Sequence, residues 1–421
     1  MGEVVELQTP KGKARKPAGK RPRRGGKRSR TALVLGGGGF TGGVYEIGAL
    51  RALDLLAVNR TVNEFDIYVG TSAGSFIGSL VANGVTPEEM MRVVNQQVPT
   101  PFPDLNRSAL MRPSYTAFAR SAALLPLRMV GLARTVVSQR GRVAVMDLAL
   151  QLAEALPAGL YDSTAIEKYL EPVLADPDRT DDFRMLDNEL YLTATDLDTA
   201  ERIVLGGEGW ADVPIARSVA ASTALPMVYK PVEIKGRQLI DGGIRSTTNV
   251  DIAVERGAKF VVVVNPLVPY VNDFQKVIPT MLGSRVRRVA DMGFPEIGYQ
   301  TFKLLAHQRL HEAMSHWREK YPGVDFVVIE PAENDELMFE TNIMNFTKRV
   351  EIAKHGFESV TMKLAADYDD LKAVCARHGI EISATRVRKV INRFAEEREQ
   401  TGGWRRILEQ TTNALVRQSD S

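Results

Sequence analysis

A serine flanked by glycines is the strongest chemical signal in this sequence. The segment Gly70-Thr-Ser72-Ala-Gly74 follows an apolar run that predicts a strand and precedes a helical pattern that continues to about Val81. This context is what a nucleophile elbow needs, because glycines two residues either side of the serine let neighbouring backbone approach without a Cβ clash. The turn also places the serine at a helix N-terminus, where free N–H groups favour negative charge. The sequence therefore predicts Ser72 as a nucleophile in a turn shaped by Gly70 and Gly74.

Four successive glycines, residues 36–39, follow the first predicted strand. Glycine loses more backbone freedom on folding than any other residue, so such a run indicates a specific demand on the backbone. If the N–H groups of Gly37, Gly38 and Gly39 point into one space, they form an oxyanion hole, in which one donor is typically worth about 3 kcal/mol of barrier. A tight turn is the plainer alternative.

The same glycines also match a dinucleotide-binding fingerprint. Gly37, Gly39 and Gly42 have the G-x-G-x-x-G spacing after a first strand. That site needs an acidic residue at the end of the second strand to hold the ribose. Here the second predicted strand ends in Val69-Gly-Thr-Ser72, and Asp66 lies at its start. Dinucleotide binding is therefore disfavoured.

A hydrolytic serine needs a base, which is usually a histidine held by an acid. None of the histidines lies in a turn after a strand, and we predict that all five are surface residues: His307, His311, His316, His355 and His378. The pair at i and i+4 lacks the glutamate that follows the first histidine in metalloproteases, so no metal site is predicted.

Asp241 is the remaining candidate for the base. It follows the predicted strand at residues 238–240 and precedes Gly242 and Gly243. An aspartate there could approach the serine directly, but as a lone base it would need proximity and a raised pKa. The residues alone leave open that Asp241 is only a turn aspartate.

The elements that position these residues alternate between strands and helices. Strands are predicted at residues 31–35, 65–69, 189–195, 202–205, 232–234, 238–240, 260–264 and 325–329. Helical patterns fill most of the gaps, including residues 44–56, 250–256 and 351–363. This alternation favours an α/β fold with a largely parallel sheet that is covered on both faces.

The ordered set of motifs resembles the patatin-like phospholipases. The main matches are Leu33-Val-Leu-Gly-Gly-Gly-Gly39, Gly70-Thr-Ser-Ala-Gly74 and Asp241-Gly-Gly243, supported by Ala221-Ser-Thr-Ala-Leu-Pro226, Pro231-Val232, Asn249 and Gly257-Ala258. The similarity runs from about Thr31 to residue 265, and more loosely to about 360. Each motif alone is weak, but the ordered set is specific.

The resemblance implies a three-layer α/β/α fold and a Ser–Asp dyad. By this likeness Ser72 attacks the acyl carbonyl of a phospholipid or other lipid ester, and Asp241 takes its proton and later activates water. The glycine loop at residues 37–39 holds the oxyanion, and no metal or organic cofactor is implied. One departure is Thr41, where family members usually carry Arg or Lys, and it weakens the inference of a phospholipid over a neutral lipid ester.

Three regions lie outside the main similarity. Residues 1–30 are predicted to form a disordered basic tail, because residues 11–30 hold eleven Lys or Arg and no acid. Residues 31–360 are predicted to form the catalytic domain, with residues 105–160 as an inserted helical cap. Residues 361–421 are predicted to form a helical C-terminal extension, in which one face is shared by Val387, Val390, Ile391 and Phe394.

Charge and composition suggest where such an enzyme would work. Without residues 1–30 the chain has 43 basic and 49 acidic residues, so the tail supplies the positive charge. We interpret the tail as a contact for anionic membrane rather than for nucleic acid, although a simple solubilising extension is an alternative.

The predicted cap gives a second candidate for membrane contact. It is an apolar segment with seven arginines and no acid between Asp104 and Asp147, which suits either a lipid-facing surface or a solvated helical face. A single cysteine, Cys375, and no apolar signal sequence favour a cytoplasmic, peripheral location. The alternative function is a non-catalytic lipid-surface binding protein with a degenerate site.

Overall fold

The computed structural model of the chain describes residues 29–95, 157–271, 288–333 and 347–397, with shorter pieces at 102–103, 110–115, 117–123, 126, 130, 278–279, 285–286, 335 and 337–338. Most of the predicted cap, the basic tail up to residue 28 and residues 398–421 lie outside the described residues.

A mostly parallel sheet forms the centre of the fold. Its strands, in spatial order, are β12 (Asp325–Ile329), β9 (Ala258–Val264), β1 (Arg30–Leu35), β2 (Ile67–Thr71), β4 (Glu189–Asp196), β8 (Arg237–Asp241) and β7 (Val232–Ile234), with β5 (Arg202–Leu205) paired to β4. The first five of these run parallel, and β5, β8 and β7 are antiparallel to their neighbours. All eight predicted strands are therefore present.

Helices alternate with these strands along the chain. They are α1 (Gly39–Leu56), α2 (Ala73–Ala82), α3 (Pro87–Val94), α4 (Thr164–Leu174), α5 (Ile215–Ser222), α6 (Val250–Glu255), α7 (Phe294–Lys320), α8 (Arg349–Ala366), α9 (Tyr368–Arg377) and α10 (Ala384–Glu397). Two small sheets that the sequence did not predict pair β3 (Gly159–Tyr161) with β6 (Met227–Tyr229) and β10 (Ile278–Pro279) with β11 (Arg285–Val286).

The sheet is buried on both faces. Leu33 and Leu35 of β1 join the larger hydrophobic cluster, which includes residues of α1, α2 and α8. Ala32 and Val34 point to the opposite face and join a second cluster with α6 and α7. Because successive side chains of a strand alternate between faces, one apolar strand supports both layers. This three-layer α/β/α arrangement confirms the predicted fold class.

Helices α1 and α8 pack with unusually close backbones. A Cβ added at Gly48 would lie 2.4 Å from the Ala353 carbonyl oxygen, and one at Gly356 would lie 2.7 Å from the Tyr45 carbonyl oxygen. Glycine on both helices is therefore needed for this contact. Helix α8 extends past the predicted boundary at residue 360, and the side chains of Leu371 and Ile391 from α9 and α10 lie in the same core.

Two element bounds differ from the sequence prediction in ways that matter for the site. Helix α1 begins at Gly39 rather than near residue 44, so part of the glycine run forms its first turn. At the N-terminus, Arg30, which the sequence assigned to the tail, is the first residue of β1 and forms an ion pair with Glu189. Within the described part of the chain, no helix combines the length and apolar character required for a membrane span.

Candidate active site

Ser72 sits in a strained turn between β2 and α2. Its φ of 55° is in the left-handed range, which is unfavourable for any residue with a Cβ and costs on the order of 1–3 kcal/mol. A Cβ at Gly70 would lie 2.6 Å from the Gly74 carbonyl oxygen, and one at Gly74 would lie 2.3 Å from the Leu35 carbonyl oxygen. A side chain at either position would therefore clash with the neighbouring backbone.

Hydrogen bonds from three other serine and glycine residues hold this turn in place. The Ser72 N–H donates to Ser222 Oγ (3.0 Å), whose hydroxyl in turn donates to the Thr193 carbonyl oxygen (2.6 Å). Both the N–H and the hydroxyl of Ser75 donate to the Ser72 carbonyl oxygen (2.9 and 2.6 Å), and the Gly74 N–H donates to the Gly36 carbonyl oxygen (3.0 Å). These bonds connect the turn to β4, α5 and the glycine loop and offset its strain.

Ser72 and Asp241 are in direct contact. The Ser72 hydroxyl donates to Asp241 Oδ2 at 2.5 Å, and the Gly243 N–H donates to Asp241 Oδ1 at 2.7 Å. The exposed fractions of the two residues are only 7% and 3%. Burial raises the pKa of Asp241 to about 6, against the opposing effect of these two hydrogen bonds. The site thus pairs a serine hydroxyl with a carboxyl group whose pKa is close to neutral pH.

Strand pairing explains how residues 169 positions apart meet. Thr193 of β4 pairs with Thr71 of β2, and Ala194 pairs with Asp241 of β8. Strand β5 pairs with both Thr193 and Ala194 along the other edge of β4. Strands β2 and β8 therefore approach from opposite directions along one edge of β4, and their ends meet where the dyad lies.

A buried polar cluster lies directly below the dyad. Thr71 Oγ1 and Thr193 Oγ1 are 2.8 Å apart, and the Asn249 side-chain N–H group donates to both (3.0 and 3.2 Å). This cluster ties the end of β2 and the middle of β4 to the start of α6, and the sequence singled out only Asn249, through the resemblance. Hydroxyl groups on strands are too common for sequence alone to indicate the other two.

Gly37, Gly38 and Gly39 line the same cavity as Ser72, and Gly39 is the first residue of α1. A Cβ added at Gly37 would lie 3.3 Å from the Ser72 Cβ. Among the described residues, no hydrogen-bond acceptor is found for the N–H groups of these three glycines. The first N–H groups of a helix lack intrahelical partners and favour negative charge. The role of this loop as an oxyanion hole stays a prediction, and the closeness of Gly37 to Ser72 supports it.

Glu46 is a buried acid that sequence reasoning missed. It lies on α1, one to two turns beyond the glycine loop, and its exposed fraction is 0%. Burial raises its pKa well above the ordinary value, and the Gly36 backbone opposes that rise. Its position on a helix face among apolar residues gave no signal in the sequence.

The cavity over the dyad is largely apolar. Its lining comprises the glycine loop and dyad with Phe40, Val44, Ile47, Phe76, Ile77, Tyr229, Leu267, Tyr299, Phe302 and neighbouring residues. Asp241 is the single charged side chain among the described lining residues. Thr41 is buried in the first turn of α1, with an exposed fraction of 3%. The apolar wall of this cavity suits a long hydrocarbon chain.

The histidines lie elsewhere, since none belongs to the described lining of this cavity. His355 contacts Asp335 (2.6 Å), and His378 contacts Asp325 (2.8 Å). The prediction that all five are surface residues is wrong for His378, which is buried and stacks on Phe260 with ring centroids 5.0 Å apart. The second ring nitrogen also has a partner, the Ser29 hydroxyl (2.8 Å). Both nitrogens are therefore hydrogen-bonded although the ring is buried.

Comparison with known proteins identifies the family. The family model described as "Patatin-like phospholipase" matches residues 33–254, more than half of the chain. The matched segment contains the glycine loop, the serine elbow and Asp241, so the chain belongs to the patatin-like phospholipase family.

Curated relatives agree with this assignment at low identity. A "probable lipid hydrolase 463L" of Invertebrate iridescent virus 6 is 23% identical over 229 residues, which are 53% of this chain and 63% of the relative. The "uncharacterized protein YqhO" of Bacillus subtilis (strain 168) is 24% identical over 225 residues, 49% of this chain and 64% of the relative. The chain thus spans less than two thirds of each relative.

Solved structures give a weaker likeness. VipD from Legionella pneumophila is 14% identical, with a TM-score of 0.35 over 80% of this chain and 67% of VipD. ExoU from Pseudomonas aeruginosa, solved with SpcU, is 14% identical, with a TM-score of 0.28 over 84% and 59% of the two chains. At these TM-scores the likeness adds nothing to the fold described above.

Proposed function

We propose that this chain is a lipid acyl hydrolase that works through an acyl-enzyme on Ser72. Membership of the patatin-like phospholipase family supports lipid-ester hydrolysis in general. The observation that carries the specific proposal is the 2.5 Å contact between the Ser72 hydroxyl and Asp241 Oδ2 inside a buried site. The reaction class is phospholipase A, lysophospholipase or a related carboxylesterase.

The first half of the reaction forms the acyl-enzyme. Ser72 Oγ attacks the acyl carbonyl carbon while Asp241 Oδ2 accepts the hydroxyl proton, and the carbonyl oxygen becomes an oxyanion. Donors from the glycine loop at residues 37–39 stabilise that charge. When the intermediate collapses, the bond to the alcohol breaks, and the alcohol leaves with the proton held by Asp241.

The second half releases the acid. Asp241 accepts a proton from water, whose oxygen attacks the acyl carbon on Ser72, and the oxyanion forms against the same donors. Collapse breaks the bond between Ser72 Oγ and the acyl carbon, and the proton returns from Asp241 to Ser72 Oγ. One carboxylate therefore serves as base and acid in both halves, and the cycle needs no histidine.

The apolar lining of the cavity favours a lipid substrate, whose acyl chain would pack against this wall. Phe40, Phe76 and Ile77 lie beside the dyad and would contact a hydrocarbon chain. Each methylene transferred from water to such a wall is worth about 0.8 kcal/mol. Medium and long acyl chains should therefore be preferred over acetyl esters.

A lipid-panel hydrolysis assay tests the proposal. Purified protein is given a diacyl phospholipid, a lysophospholipid, a neutral glyceride and a medium-chain p-nitrophenyl ester, alongside Ser72→Ala and the matched exposed control Ser315→Ala. We expect at least one ester to be cleaved, the cleavage to be lost with Ser72→Ala and the control to match wild type.

Two outcomes contradict the proposal. Hydrolysis that survives Ser72→Ala would place the nucleophile elsewhere. If no ester is hydrolysed but the protein binds lipid vesicles, the alternative of a non-catalytic lipid-surface protein is favoured.

A further inference from the structure

A second cluster of chemically reactive side chains lies outside the Ser72 cavity. His307 and His311 are one turn apart on α7, and Glu330 is the first residue after β12. One ligand atom from each residue can be chosen so that all three lie within 4.8 Å of one another. None of the three belongs to the described lining of the Ser72 cavity.

The geometry of this cluster is close to that of a metal site. His311 Nε2 lies 3.2 Å from Glu330 Oε2, and the two imidazole centroids are 4.0 Å apart. Ligand atoms around a tetrahedral Zn²⁺ are about 3.3–3.6 Å apart, because each lies about 2.0–2.2 Å from the ion. Donors up to 4.8 Å apart would therefore have to approach one another by little more than about 1 Å to bind one ion.

The carboxylate is already oriented by a neighbouring residue. The Asn265 side-chain N–H group donates to Glu330 Oε1 at 2.7 Å, and Oε2 contacts His311. Asn265 itself is buried and follows β9, so its position is fixed by the sheet. Support of this kind for a ligating carboxylate is typical of protein metal sites.

We propose that His307, His311 and Glu330 bind a divalent transition-metal ion, with Zn²⁺ as the best match. Two imidazoles and one carboxylate suit Zn²⁺, whereas Mg²⁺ and Ca²⁺ prefer oxygen ligands. His311 is exposed, with 45% of its side chain accessible, so water completes the coordination. This departs from the sequence prediction of no metal, because Glu330 is close to the histidines only in the folded chain.

The position of the site indicates a structural role. The ion would join α7 to the end of β12, and α7 also contributes Tyr299 and Phe302 to the Ser72 cavity. Asn265, which holds Glu330, lies beside Gly36, whose added Cβ would be 3.2 Å from Asn265 Oδ1. Metal binding would therefore steady one wall of the cavity and the glycine loop without touching the reacting atoms.

Metal binding can be measured without any hydrolysis assay. Protein dialysed against a chelator is titrated with Zn²⁺ by calorimetry, and thermal unfolding is followed with and without the ion. We expect about one equivalent of Zn²⁺ to bind and to raise the melting temperature, as binding to the folded state requires. The matched control is His316→Ala, on the same helix but outside the cluster.

The variants decide whether the ion uses this cluster. His311→Ala and Glu330→Gln should each weaken Zn²⁺ binding at least tenfold, while His316→Ala and Ser72→Ala bind like wild type. Co²⁺ bound to the wild-type protein should show the visible absorption of a four-coordinate site, a readout that needs no variant to fold. The proposed site would be overturned if His311→Ala bound Zn²⁺ as tightly as wild type, or if the wild-type protein bound no Zn²⁺ at all.

Discussion

Ser72 and Asp241 are held by different physical constraints. The serine is fixed by its backbone, because φ of 55° is tolerated only where Ser222, Ser75 and neighbouring glycines enforce the turn. The aspartate is fixed by burial and by the Gly243 N–H, and the same burial raises its pKa to about 6. A base with a pKa near neutral is suited to accept and return a proton in the same cycle.

The raised pKa of Asp241 predicts the pH dependence of activity. Only the ionised carboxylate accepts the Ser72 proton, so kcat/KM should be constant above about pH 7 and fall tenfold per pH unit well below pH 6. The measurement is hydrolysis of an uncharged medium-chain ester from pH 4.5 to 9. A profile governed by a group in the ordinary aspartate range near pH 4 would contradict the proposed environment of this base.

Gly37 offers a test of the oxyanion donors. A methyl group there would lie 3.3 Å from the Ser72 Cβ, so Gly37→Ala should displace the loop from the nucleophile and reduce kcat/KM by about 10- to 100-fold. Gly298→Ala is the matched control, because nothing lies within 4 Å of its added Cβ. Melting temperatures check that both variants fold. Full activity in a folded Gly37→Ala protein would exclude this loop from the site.

At the level of single residues, some positions are predictable from their neighbours in sequence, whereas others are recognised only by contacts that form on folding. The turn that carries Ser72 was predictable because its glycines and its strand–turn–helix context are neighbours in sequence. Asp241 depended on the resemblance, since its partner is brought to it by strand pairing. Ser222 carries no distinctive local signal, so only the folded structure identifies its contact with the Ser72 N–H.

The elements that create the site are three strands, β2, β4 and β8. Their alternation with helices was readable from sequence, and so was a mostly parallel sheet. The antiparallel course of β8, which brings Asp241 to the end of β2, was not predicted. Register between distant strands is set by turns and by packing on both faces, which short apolar runs do not encode.

The basic N-terminal segment is proposed as a contact for anionic membranes. The structure refines the truncation that tests it, because Ser29 and Arg30 contact His378 and Glu189 and belong to the fold. Deleting residues 1–28 removes ten Lys or Arg, and each basic residue near an anionic surface is worth about 1 kcal/mol.

Co-sedimentation with anionic vesicles measures the effect of that deletion. We expect at least tenfold weaker binding at low salt and little difference between the two proteins at high salt, where the charges are screened. Neutral vesicles serve as the control. Unchanged binding to anionic vesicles at low salt would show that the segment is no anchor.

For the whole molecule, the proposed base comes at a cost in stability. The folded pKa of Asp241 is raised from 3.8 to about 6, so the folded state favours the protonated carboxyl. Relative to the ionised carboxylate, the protonated carboxyl stabilises the fold. That stabilisation is fully present below about pH 3.8 and is lost as pH rises through about 6. Above pH 7 the ionised group then destabilises the fold by about 3 kcal/mol.

Asp241→Asn tests that cost directly. The amide keeps an acceptor for the Gly243 N–H but carries no charge, so the variant should be inactive and more stable than wild type at pH 8. The gain in the free energy of unfolding should shrink towards pH 4, and denaturant titrations at both pH values measure it. A variant that loses stability equally at both values would show that burial of the charge is unimportant.

The architecture was largely predictable, whereas its internal connections were not. The eight strands and the helices on both sheet faces follow from alternating apolar runs, and α10 buries the face that its periodicity indicates. The small sheet of β3 and β6 was missed because neither segment, Gly159–Tyr161 or Met227–Tyr229, alternates apolar with polar residues. The contact of α1 with α8 depends on Gly48 and Gly356, whose fit exists only once both helices have formed.

The central claim is a serine nucleophile activated by an aspartate without a histidine. Its most direct test is labelling with a fluorophosphonate, read by intact mass and peptide mapping, in wild type, Asp241→Ala and a variant that lacks all five histidines. We predict one label on Ser72 in wild type and in the histidine-free protein, and labelling at least a hundredfold slower in Asp241→Ala. Labelling that survives in Asp241→Ala but disappears with the histidines would contradict the account.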